Sequence, residues 1–154
     1  MQVLVVGGGM ITHDQILPSL FQLRRLGVLG EIGVCAQHGR TLQALRSSEV
    51  IARAFPGQGF SAYPDFDTDP ESRHPELYRE VLDRMSKRNL AVIALPDQLH
   101  FEAVMAALRA DQHVLVVKPL VLRAADAEVI EQEARRRGLL VAIEYHKRFD
   151  DRSL

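Results

Sequence analysis

Five short clusters along the 154-residue chain carry residue types that could do chemistry. The first is Gly7–Gly8–Gly9–Met10–Ile11–Thr12, straight after the apolar run Val3–Val6. Against the pattern G-x-G-x-x-G, Gly7 and Gly9 match and Thr12 replaces the third glycine. Gly7 would make the tight turn, and Gly9 would let the backbone approach a pyrophosphate. The helix start at Met10 and Ile11 would supply amide donors and the positive end of a dipole. The alternative is a glycine-rich turn with no ligand. Such a turn between strand and helix is the usual cradle for a dinucleotide.

The second cluster, Cys35–Ala36–Gln37–His38–Gly39–Arg40, follows the second apolar run. A site for NAD usually places Asp or Glu here, bonded to the ribose hydroxyls. Ala36 and Gln37 stand there instead. Gln37 can still bond a hydroxyl. His38 and Arg40 could meet a 2′-phosphate, and Arg40 could stack on adenine, so NADP is favoured over NAD. A solvated helix start is the alternative. The missing acid also argues against a methyltransferase-like domain. Cys35 is expected in the core.

In the third cluster, Leu95–Pro96–Asp97–Gln98–Leu99–His100, Pro96 ends a strand and Asp97 is placed to cap a helix. His100 would lie on the first turn, toward the nicotinamide end; a structural histidine is the alternative. In the fourth, Val117–Lys118–Pro119–Leu120, a strand-end lysine fixed by proline can point an ammonium into the crevice. Lys118 would orient a substrate oxygen or donate to the cofactor; a surface lysine in a tight turn is the alternative. The fifth, Glu144–Tyr145–His146–Lys147–Arg148–Phe149–Asp150, could line a substrate pocket or simply be a solvated exit from a sheet.

The elements that would hold these clusters alternate regularly. Strands are expected at Val3–Val6, 31–36, 60–63, 90–95, 113–117 and 139–144. Helices are expected at 14–26, 41–54, 76–87, 101–110 and 124–137. Thr12 is expected to cap the first helix and Gly27 to stop it. Residues 55–75, with four prolines and two glycines, read as mostly loop. Repeated β-α-β units imply an α/β fold: a doubly wound parallel sheet with strand order 3-2-1-4-5-6. A ligand then lies across the carboxyl ends of the strands.

Composition sets outer limits. With 47% hydrophobic and 25% charged residues the chain has the balance of a globular domain with a core. A net charge of −1 argues against nucleic-acid partners, which need a dense positive patch. The run Arg135–Arg137 fits a helix C-terminus closed by Gly138. The single cysteine forms no internal disulfide, which fits a cytoplasmic setting. Apolar runs such as Leu90–Leu95 fall far short of the roughly 20 residues of a membrane helix. No metal-ligating set is expected.

Taken in order, Gly-x-Gly, Pro96-x-x-x-His100, Lys118–Pro119 and Tyr145–His146–Lys147–Arg148–Phe149 resemble the Gfo/Idh/MocA family of NAD(P)-dependent oxidoreductases. The resemblance implies a dinucleotide-binding domain over residues 1–145. It implies Lys118 as a catalytic or substrate-orienting residue, with Val117 where the family has Glu. It puts Pro96, Asp97 and His100 beside the nicotinamide; Lys118 and Pro119 are also expected to contact the cofactor. It puts Tyr145, Arg148 and Phe149 at the substrate, and gives His146, in place of the family's Asn, a candidate catalytic position. Residues 146–154 would begin the connection to a second, open-sheet domain that completes the substrate pocket. The expected function is the cofactor half of an oxidoreductase for a sugar-like or polyol substrate, not competent alone. A non-catalytic dinucleotide-binding sensor or partner subunit is the alternative. The expected partners are a dinucleotide, a small polar substrate, and a partner domain or second copy.

Overall fold

The computed structural model describes residues 1–152, and the backbone alone at His146 and Phe149. Six parallel strands form one sheet: β1 (Val3–Val6), β2 (Ile32–Cys35), β3 (Ser61–Tyr63), β4 (Leu90–Ile93), β5 (His113–Val117) and β6 (Val141–Glu144). Their order is β3-β2-β1-β4-β5-β6, as the β-α-β pattern requires. The helices are α1 (Leu17–Arg25), α2 (Gly39–Arg46), α3 (Glu49–Ala54), α4 (Leu77–Arg84), α5 (His100–Arg109) and α6 (Ala124–Arg137).

The central strands are apolar on both faces because both faces are covered. Val3 and Val5 pack with Leu17, Leu20 and Phe21 of α1 and with Leu42 of α2. Their neighbours Leu4 and Val6 point the other way, against Leu82 of α4, Leu108 of α5 and Ile130 of α6. The two-residue period of the strand thus divides one run of residues between two cores. At the amino ends of the strands, buried Gln112 accepts from Asn89 N (3.0 Å) and donates to the Ala110 carbonyl (2.8 Å). That end is polar. The glycine turn lies at the opposite end.

Three helix expectations change. The backbone is already helical at Ile11, so Thr12 lies inside the helix rather than at its cap. Residues Thr12–Ile16 form a wider π-helical turn before α1. The helix expected over 41–54 is two, broken at Ser47–Ser48, where the Ser48 hydroxyl accepts from Ile51 N (3.4 Å) and caps α3. Asp97 lies in a single 3-10 turn (Asp97–Leu99), and neither that turn nor α5 has a side-chain cap. Gly27 (φ +74°) and Gly138 (φ +61°) end α1 and α6 as expected, in the left-handed region that favours glycine. Among the described residues, no helix is long and apolar enough to cross a membrane.

Candidate functional site

The parallel register builds the site. Val6 is paired with Cys35 and with Ile93, Ile93 with Val116, and Val117 with Glu144. The residues just past these positions, Gly7, Ala36, Ala94, Lys118 and Tyr145, therefore share one sheet edge.

Gly7 turns the chain with φ +115°, and a Cβ there would stand 2.0 Å from the Ala94 carbonyl oxygen. Its N–H donates to the Cys35 carbonyl (2.8 Å), and its own carbonyl accepts from the buried Thr12 hydroxyl (2.7 Å). Thr12, the departure from the third glycine, thus closes the loop with its side chain. Gly8 is constrained too: a Cβ would lie 2.8 Å from Thr41 Cγ2 and 3.3 Å from Ala36 Cβ. At Gly9 a Cβ would meet nothing within 4 Å. That open space, at the start of the first helical turns, is what an approaching pyrophosphate needs. Met10 is 80% exposed beside it, and Ile11 packs partly into the core. Deeper in the same turn, His13 bridges the Asp14 carboxylate (2.5 Å) and the Ser48 hydroxyl (2.7 Å), tying the glycine-loop helix to α3.

Beside the end of β2 lies a cavity of about 370 Å³, walled by Val6, Ala36, Gln37, Arg73, Leu95 and Leu99. One wall comes from a loop that sequence reading left without a role. An antiparallel bridge pairs His38 with Arg73, and His74 N donates to the Gln37 carbonyl (2.8 Å). Arg73 donates from Nε (2.9 Å) and from its terminal nitrogen (2.5 Å) to the Gln37 side-chain oxygen, the amide being oriented by these bonds. The other cations here are paired. Arg40 is bonded to Glu71 (2.9 Å), and Arg79 to Glu76 and to Glu102 (3.5 Å). Nδ1 of half-buried His38 has no partner among the described residues. Burial pushes the nearby Tyr78 hydroxyl up, while Arg79 pulls it back. Burial likewise pushes the Cys35 thiol up to about 12, which removes it as a nucleophile.

On the other side of the glycine turn, Pro96 precedes the 3-10 turn, and Asp97 is exposed. His100 is fully buried: Nδ1 lies 2.7 Å from the Pro119 carbonyl oxygen and Nε2 lies 2.8 Å from that of Leu95. Both ring nitrogens thus face backbone, so His100 positions the β4 and β5 loops against each other rather than presenting itself to a ligand. Lys118, next to the Pro119 it helps to fix, is exposed and forms no ion pair among the described residues. Tyr145 is half exposed, with the Arg148 guanidinium 5.7 Å from its ring centre. The side chains of His146 and Phe149 lie outside the described residues.

Residues 1–145 match the Gfo/Idh/MocA family, described as an oxidoreductase family with an NAD-binding Rossmann fold. The chain belongs to that family. A scyllo-inositol 2-dehydrogenase (NADP(+)) of Bacillus subtilis is 31% identical over 62 residues, covering 40% of this chain and 17% of the relative. A dTDP-3,4-didehydro-2,6-dideoxy-alpha-D-glucose 3-reductase of Streptomyces violaceoruber is 36% identical over 105 residues, covering 68% of this chain and 27% of the relative. The chain therefore spans only about a quarter or less of these relatives' length. Among solved structures, a 3-ketoreductase from Actinomadura kijaniata, in complex with NADP and TDP-benzene, superposes with a TM-score of 0.66 at 24% identity, covering 96% of this chain and 39% of that one. An NAD binding oxidoreductase from Klebsiella pneumoniae gives 0.66 at 18% identity, over 94% of this chain and 34% of that one. At these identities the likeness concerns the fold. The family and the open glycine turn agree on an NAD(P)-binding oxidoreductase domain.

Proposed function

We propose that this NAD(P)-binding domain serves hydride transfer on a sugar-like or polyol substrate, with NADP preferred. The observation that carries the reading is the shared sheet edge, where open Gly9, Gln37, Lys118 and Tyr145 line up. When bound, the dinucleotide supplies or accepts the hydride. The chain does the rest. Gly9 and the amides after it hold the pyrophosphate, and Ala36 and Gln37 present a ribose site with no carboxylate. Lys118, kept in place by the His100–Pro119 contact, aims an ammonium at the substrate oxygen, orienting it and exchanging its proton. Tyr145 and Arg148 border the substrate, with His146 a further candidate for proton transfer. Sugar-related activities named for the two curated relatives support this substrate class.

Lys118 and Tyr145 lie in the open, whereas hydride chemistry needs a water-poor site. We take a further domain or a partner chain to close the pocket, so that the domain alone does not turn over. One observation favours a second reading, a dinucleotide-binding subunit without catalysis: buried Val117 stands where the family's Glu would neighbour the lysine. Lys118→Ala separates the two readings in an assembly that turns over. Dinucleotide affinity is expected to stay within about twofold while kcat falls by about 10²–10⁴, the usual worth of one positioned acid or base. An unchanged kcat would remove Lys118 from the chemistry.

A further inference from the structure

We propose that Arg73, supplied by the loop before α4, reads the 2′-phosphate of NADP and sets the cofactor preference of this domain. The inference rests on the dinucleotide site proposed above and adds the residue that discriminates within it.

The β2 end carries no acid. Ala36 is buried and Gln37 is neutral. A bare ribose diol therefore loses its usual acceptor, and a phosphate there meets no repelling carboxylate on the strand. A phosphate is also drawn to a cation whose charge no carboxylate already balances. Arg40 is bonded to both oxygens of Glu71. Arg79 is held between Glu76 and Glu102. Arg73 differs: it forms no ion pair among the described residues, and its side-chain partner is the neutral Gln37 oxygen. A guanidinium carries five N–H donors in a planar fork, so donors remain for a phosphate after the bonds to Gln37. The amide NH₂ of Gln37 adds two more.

Placement is equally specific. The His38–Arg73 bridge and the His74 N–H to Gln37 carbonyl bond zip the loop onto the end of β2. Arg73 and Gln37 wall the cavity that opens between β2 and Leu95, as do Glu76 and Glu102, whose charges Arg79 offsets. Arg73 is exposed at its rim, where a dianion stays partly solvated while bonded.

Binding of 2′,5′-ADP and of 5′-ADP to the purified chain tests this, with inorganic phosphate as a third probe. The wild-type chain is expected to prefer 2′,5′-ADP. Arg73→Ala should weaken 2′,5′-ADP by about tenfold to a hundredfold, the range of a charge-assisted hydrogen bond, and change 5′-ADP by less than about twofold. Arg73→Lys should restore part of the loss, and Gln37→Glu, which gives Arg73 a carboxylate, should erase the preference. Equal weakening of both nucleotides, or an unchanged preference in the Arg73 and Gln37 variants, would overturn the assignment while leaving the dinucleotide site standing. So would inorganic phosphate matching 2′,5′-ADP in affinity. Failure of both nucleotides to bind the folded wild-type chain would overturn the site itself.

Discussion

The three glycines of the first turn do three different jobs, and single substitutions separate two of them. Gly7 needs its positive φ and its closeness to the Ala94 carbonyl. Gly7→Ala should therefore cost more than the roughly 1–3 kcal/mol of a strained φ alone, seen as a fall in Tm. Gly9 borders empty space. Gly9→Val should leave Tm nearly unchanged and weaken dinucleotide binding by more than about tenfold by blocking the close approach. The reverse pattern, with Gly9→Val unfolding the chain and Gly7→Ala harmless, would show that the loop is misassigned. The G-x-G-x-x-G pattern made Gly7 and Gly9 legible. It left Gly8 as a free position, although Thr41 and Ala36, both remote in sequence, leave little room for a side chain there. Pattern also placed His100 near the ligand, because spacing does not reveal that two carbonyls close around its ring.

Among the elements, α6 was the most legible. Its end follows from local cues: basic residues in the last turn and Gly138 behind them. The arginines there do more than face the helix dipole. Glu133 accepts from Arg136 and Arg137, which hold its carboxyl at about 2, well below the ordinary 4.5. Arg137 also bonds Asp111, whose carboxyl Lys87 and Arg137 likewise hold down. This links α6 to the end of α5. A carboxyl with a lowered folded-state value stabilises the fold above about pH 4.5, and the contribution disappears as pH falls toward 2. The Tm advantage of wild type over Glu133→Gln at pH 7 should thus vanish near pH 2. An advantage constant over that range would exclude the ion pairs as its source. The break at Ser47–Ser48 was not legible, because Ser48 acts as a cap through a local bond while its hydroxyl also meets His13, 35 residues away.

For the whole molecule, strand order followed from buried apolar runs alternating with helical ones, a signal that needs no tertiary detail. What was legible of the candidate site is its placement at the strand ends, which puts Gly7, Gln37, Lys118 and Tyr145 along one sheet edge. Arg73 was hidden because its position depends on a bridge to His38 across a proline-rich loop that has no periodicity. The central question for this molecule is whether its sheet edge holds a dinucleotide. Fluorescence titration of the purified chain with NADPH and NADH measures that directly. The expected result is saturable binding of both, tighter for NADPH. No binding of either at millimolar concentration by a folded chain would contradict it.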